Sequence, residues 1–224
     1  MYQMNFYTTQ QQKHDDLSKK RSAALINESR YYLNKSKSKW ISIGFSLEKK
    51  YIPVVKLGGY KNNQNVIFTE DQWVSFLNQQ GIIMGFIHSD SFGWQSMEGN
   101  GFQLHFILIK ESRVIKITQE GGNCVYLAED GINEANKLAD LIQYRLDLLK
   151  SQEFSKYYNI LVAGVSSKNG DILQNVYNVI SPLKNLNSQN IYCVLELLNL
   201  YSDCIFEDVE SFACNEFVKN CVNK

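Results

Sequence analysis

The sequence predicts an α+β protein: two antiparallel four-stranded sheet-plus-helix repeats, then a mostly helical C-terminal extension. Three observations carry that expectation. Short segments between residues 30 and 128 alternate apolar and polar residues with the period of two that marks half-buried strands. Twice this pattern gives way, at a Glu-Asp pair, to apolar residues at helical spacing. Beyond residue 151 helical periodicity prevails. The implied organisation is a flexible arm and short helix over 1–29, a first repeat over 30–90, a second over 91–150, and a helical extension over 151–224.

In chain order, residues 1–12 are uncharged and polar and read as an arm. The run from Asp15 to Glu28 favours a short helix with a weak apolar side of Leu17, Ala24, Leu25 and Ile26. RYYLNKS is a first strand. KWISIGFSLE is a second, with Ile41, Ile43, Phe45 and Leu47 on the core face and Trp40, Ser42, Gly44 and Ser46 on the other. YIPVVKLGGY is a third, in which Pro53 suggests an edge or a bulge and Gly58-Gly59 open the turn to NVIFT. A helix follows over residues 70–87, started by Thr69 and Gln72 in capping-box spacing. FGWQSME, GFQLHFILIK, RVIKITQ and NCVYLAE repeat the strand series and lead into an amphipathic helix through Ile132, Leu138, Leu141, Ile142, Arg145 and Leu149. NVIFTEDQW and NCVYLAEDGI share one shape, at a period of about 59 residues. In the extension, YYNILVAGVSS reads as an apolar strand and the rest as helix, broken at Pro182.

Charge is unevenly placed. The chain of 224 residues holds 23 basic and 23 acidic residues, a net charge of zero. Residues 13–61 carry twelve bases against four acids, so this front is +8 and the rest −8. The basic part coincides with the first repeat. The apolar content of 44% and two prolines exclude disordered and collagenous classes, and no apolar run is long enough to span a membrane. The five cysteines (124, 193, 204, 214, 221) form no CxxC pair, which argues against zinc ligation and a disulfide framework and for reduced thiols inside the cell. The start lacks a signal-peptide pattern.

The first unit, ending TEDQW, resembles the positive-cofactor-four class of single-stranded-DNA-binding coactivators, with Glu70, Asp71, Gln72 and Trp73 at the start of the helix. Two such units in tandem resemble the Whirly and Pur-alpha arrangement. The resemblance covers roughly residues 30–150 and implies sheet surfaces that bind a nucleic-acid strand. The second unit departs from it, with Gly131-Ile132 in place of Gln72-Trp73 and fewer lysines (Lys110, Arg113, Lys116), so the expectation is that only the first binds. A helical tail is not part of that pattern.

Physical chemistry gives the same expectation. Reading a single strand takes cations along the phosphates and flat rings under unstacked bases. Lys35, Lys37, Lys39, Lys56 and Lys61 are candidates for the first task and Trp40, Tyr32 and Tyr60 for the second, with Ser42 on the same small, polar face. The expected function is non-catalytic binding of single-stranded nucleic acid, DNA before RNA, in the nucleus. No cofactor, metal or membrane is expected. The acidic tail is expected to pack against, or join, further copies or other subunits. The alternative is a protein–protein scaffold subunit built on a pleckstrin-homology-like module. No GxSxG, GxxxxGK[ST] or GxGxxG motif supports an enzyme. His14, His88 and His105 have no metal-ligand spacing, and His88 suits a helix end. The two Glu-Asp pairs sit where a helix dipole favours them.

Overall fold

The structure, a computed structural model, describes residues 23–60, 64–183 and 188–222. The arm over 1–12 and the helix expected from Asp15 lie outside these residues up to position 22. Within them, Leu25–Glu28 already belong to a strand.

Two compact units form, one from Met1–Lys49 and Pro53–Leu148, the other from Lys50–Ile52 and Leu149–Lys224. The first is α+β. Strands β1 (Leu25–Tyr32), β2 (Lys39–Ser46), β3 (Pro53–Gly59) and β4 (Asn65–Phe68) make one antiparallel sheet in chain order. Helices α1 (Glu70–Asn78) and α2 (Gln80–Ile87) follow, bending at Gln79 where one continuous helix was expected. Strands β5 (Met97–Glu98), β6 (Gln103–Ile109), β7 (Ser112–Thr118) and β8 (Cys124–Ala128) make the second sheet, also in chain order. Helices α3 (Glu129–Lys137) and α4 (Ala139–Ser151) close the repeat.

The internal repeat is a matter of element bounds. Both ends of β3 and β7, the starts of β4 and β8, both ends of α1 and α3, and the starts of α2 and α4 are each displaced by 59 residues. Even the bend recurs, at Gln79 and Leu138. A single seven-stranded module with one terminal helix is therefore not what this chain forms. The two junctions differ in chemistry: Gln72 Oε1 accepts from the Thr69 N–H at 3.0 Å, whereas Ala128 occupies the corresponding place before α3.

The helices bind the repeats together by crossing over. Phe68 of β4, Trp73 and Phe76 of α1 and Phe102 before β6 form one aromatic cluster, with centroids 5.3–6.2 Å apart, and Phe86 of α2 lies 5.0 Å from Phe106 of β6. In return, Arg145 of α4 donates to the Asn27 carbonyl and, at 2.9 Å, to its Oδ1 in β1. Trp73 is fully buried, so the TEDQW segment serves the cap and the core.

Three local expectations are corrected. β3 is central, flanked by β2 and β4, and Pro53 is tolerated because it is the first residue of the strand. Gly58 and Gly59 are strand residues rather than a turn: a Cβ on Gly58 would stand 2.4 Å from the Trp40 ring, and one on Gly59 2.5 Å from Gln64 Oε1. YYNILVAGVSS is helical, within α5 (Phe154–Ser166), because Phe154, Tyr158, Leu161, Val162 and Val165 fall at helical spacing and are buried together.

The second unit continues with α6 (Ile172–Ile180), a 3₁₀ turn Ser181–Leu183 at Pro182, α7 (Ser188–Leu200) and α8 (Ser202–Val222). Within it the Tyr51 and Tyr158 rings lie 4.4 Å apart, and both hydroxyls donate to Asp208 Oδ2, at 3.4 and 2.9 Å. Among the described residues no helix is long and apolar enough to cross a membrane.

Candidate nucleic-acid interface

An antiparallel meander places the β1–β2 and β3–β4 turns at the same end of the first sheet. That end gathers much of the candidate set. Tyr32, the last residue of β1, pairs with Trp40, and Trp40 pairs with Gly58 on β3. Directly paired residues share a face, so Tyr32, Trp40 and Gly58 form one row.

The row is built around the tryptophan. Its ring lies flat over Gly58, where no side chain competes for the space, and the Arg30 guanidinium stacks on it with Cζ 4.8 Å from the centroid. Arg30 is in turn held by Glu28 at 2.8 Å. Trp40 is thus half-buried rather than bare, and its Nε1 has no hydrogen-bond partner. Beside it Tyr32 is 47% exposed, and the Lys37 ammonium sits 5.4 Å from its ring centroid. Tyr60, where the chain leaves β3, is 86% exposed.

The β1–β2 turn holds its lysines in a fixed frame. Asn34 Oδ1 accepts from the Ser38 and Lys39 amides at 3.0 and 3.2 Å, and its Nδ2 donates to Ser38 Oγ at 2.9 Å. The Leu33 amide donates to the Lys39 carbonyl, closing the turn. Lys37 takes the left-handed conformation, φ 55°, and both Lys35 and Lys37 project into solvent.

Three candidates fall elsewhere, and a fourth is not described. Lys39 precedes Trp40 directly and so points to the opposite face, where its ammonium donates to Gln64 Oε1 at 2.8 Å and burial lowers its pKa. Ser42 shares the face of Trp40 but is fully buried, its hydroxyl without a partner. Lys56, paired with Ser42, donates to the Ala23 carbonyl, and burial lowers its pKa against the opposing pull of Glu28. Lys61 lies outside the described residues.

Farther along the same face β1 carries a bulge. Between Ile26 and Ser29 the β1–β2 register shifts, with Asn27 at φ 53°. The bulged backbone comes so near β2 that a Cβ on Gly44 would stand 2.8 Å from the Ile26 carbonyl oxygen. Leu25, carried onto this face opposite Ser46, clusters with Val54 and Ile67. The small, polar side of β2 is buried from Ser42 to Ser46, while Arg30 and Tyr32 of β1, paired with Ser42 and Trp40, stay exposed.

Arg30 was not among the residues singled out from the sequence, although its spacing of two from Tyr32 placed it on the same face. The second sheet has a half-exposed row, His105 on β6, Lys116 on β7 and Tyr126 on β8, in direct register. The Lys116 ammonium is 5.8 Å from the Tyr126 ring centroid, and burial, with Lys116, lowers the His105 pKa. Both His105 nitrogens have partners, Ser96 Oγ at 2.9 Å and Thr118 Oγ1 at 3.1 Å, and His88 Nε2 meets Glu129 Oε1 at 3.1 Å. Cys124 and Cys214 are free thiols. Among the described residues no group of His, Cys, Asp or Glu is disposed to hold a metal ion. Compared with known proteins, the chain matches no family model, no curated protein and no solved structure.

Proposed function

We propose that the protein binds single-stranded nucleic acid, DNA in preference to RNA, without doing chemistry on it, and that it does so in the nucleus. The observation that carries this reading is the gathering of rings and cations at one end of the first sheet: Tyr32, Tyr60, Lys35, Lys37 and the Arg30–Trp40 stack. Aromatic faces accept any base, at about 1–3 kcal/mol per stacked base, while lysines follow phosphate charge. The turn end is preorganised by Asn34, which limits the ordering cost of binding. The likeness of TEDQW and of the tandem repeat to the positive-cofactor-four and Whirly classes supports the same reading. Lys39, Ser42 and Lys56 have no direct part in it. Fluorescence anisotropy with a labelled single strand of about 20–30 nucleotides tests the proposal, since strands of that length span one or more sites of this kind. Binding at low salt that double-stranded competitor does not displace is the expected result. No binding at low salt ends the proposal.

A further inference from the structure

Arg30 is a fixed donor at the open row of the first sheet. It stands two residues before Tyr32 on β1 and pairs with Ser42 on β2, so it shares the face of Tyr32 and Trp40. Its Cζ lies 4.8 Å from the centroid of the Trp40 ring, which itself occupies the space over Gly58. Glu28 fixes the rotation of the group: its Oε1 accepts from Nε at 3.1 Å and from Nη2 at 2.8 Å. The guanidinium is therefore stacked on one side and tethered along one edge.

The far end of the group is unused. Glu28 takes the Nε–Nη2 side, and among the described residues nothing accepts from the Nη1–Nη2 end. The Arg30 side chain is 41% exposed, and β1 is an edge strand of its sheet, so a ligand can reach it.

Two donors side by side in a fixed fork select two adjacent acceptors. A phosphate offers such a pair, but the Arg30 charge is already balanced by the Glu28 carboxylate, which would repel a second anion brought to the fork. A neutral acceptor pair meets no such penalty. Of the two purines guanine alone presents one on its outer edge, O6 beside N7, whereas adenine sets an amino donor in place of O6. In an unpaired strand that edge is open.

We infer that Arg30 gives the site a preference for guanine, its Nη1–Nη2 end bonding O6 and N7 of a base stacked on Tyr32, about 7 Å away along the strand. Glu28 and Trp40 are positioning residues that hold the fork. The Lys37 ammonium, 5.4 Å from the Tyr32 ring centroid on a solvent-exposed side chain, yields its place to the base. The inference rests on the single-strand reading above and adds a base identity to it, since stacking rings accept any base and lysines read only charge. Because Arg30 and Glu28 are neutral as a pair, the preference involves no release of counterions and does not change with salt, although the affinity does.

Anisotropy with labelled thymidine strands of about 24 nucleotides tests this, with guanine, 7-deazaguanine or adenine at spaced positions. 7-Deazaguanine keeps the ring and O6 and lacks the N7 acceptor. The wild type is expected to bind the guanine strand about tenfold more tightly than either of the others, at a ratio that is constant from low to moderate salt. Arg30→Lys keeps the charge and loses the fork, and is expected to bind the three strands alike. Glu28→Gln is expected to shrink the ratio and to steepen the salt dependence for every strand, because it frees the Arg30 charge for phosphate. Both residues are exposed, so neither substitution opens the core. Equal wild-type affinities for the guanine strand and either of the others, or a preference that persists in Arg30→Lys, overturns the inference and leaves the single-strand reading standing. Failure of the wild type to bind any strand overturns both.

Discussion

Trp40 is the residue on which the two faces of the first sheet turn. Alternation in KWISIGFS identified Ile41, Ile43 and Phe45 as core, and all three are buried. It did not reveal that the opposite face is also buried at Ser42, or that a bulge at Asn27 brings β1 close to Gly44, since a single left-handed residue leaves no trace in a hydropathy pattern. Nor did reading the basic stretch as one patch respect the alternation that sends Lys39 and Trp40 to opposite sides. The consequences are specific. Tyr60→Ala is expected to weaken single-strand binding by about 1–3 kcal/mol in an anisotropy titration, the value of one stacked base. Ser42→Ala should leave binding unchanged and raise stability by about 1 kcal/mol in denaturant melts, since it removes a buried hydroxyl that has no partner. Gly58→Ala should cost about 1–3 kcal/mol and shift the tryptophan emission, because the new methyl falls within the space of the Trp40 ring.

At the scale of elements, the strand-to-helix junctions were the most legible feature. A Glu-Asp pair between a strand and a helical period marks both, and the 59-residue displacement of their bounds follows from it. Less legible was YYNILVAGVSS, whose apolar residues are dense enough to satisfy either period, so burial on one helix face decides the matter. The truncation of β5 was equally hidden, since FGWQSME has strand-forming residues that the fold does not use as strand. One contact has no sequence signature at all. Gln119, just after β7, presents its amide to the open edge of β4, accepting from the Ile67 amide at 2.8 Å and donating to its carbonyl at 2.9 Å. The side chain stands in for a further strand. Gln119→Ala is expected to destabilise the first unit by about 1–3 kcal/mol in urea melts, by leaving two partly buried backbone groups unpaired.

For the whole molecule, the zero net charge conceals both a basic front and two units with opposite responses to alkali. Burial raises the Tyr51 and Tyr158 pKa values, so near pH ~10 the unfolded helical unit releases protons that the folded unit retains. Its stability is full below the ordinary tyrosine range and is lost progressively as pH rises from there toward the raised pKa values of the folded unit. Burial lowers the Lys39 and Lys56 pKa values, so there the unfolded chain binds more protons, and the first unit gains stability as pH rises toward the ordinary lysine range. All three tryptophans (40, 73, 94) lie in the first unit. Melts followed by tryptophan emission and by helical circular dichroism should therefore diverge above about pH 9, and Tyr158→Phe should flatten only the second.

Salt dependence is the most direct test of nucleic-acid recognition by the turn end. Affinity for a labelled single strand, measured by anisotropy from low to moderate salt, should fall linearly on logarithmic axes. Replacing both Lys35 and Lys37 by alanine should make that slope shallower by about 1.4, or about 0.7 for each phosphate that is no longer neutralised. An unchanged slope in the double variant, or no affinity at low salt in the wild type, would contradict the account.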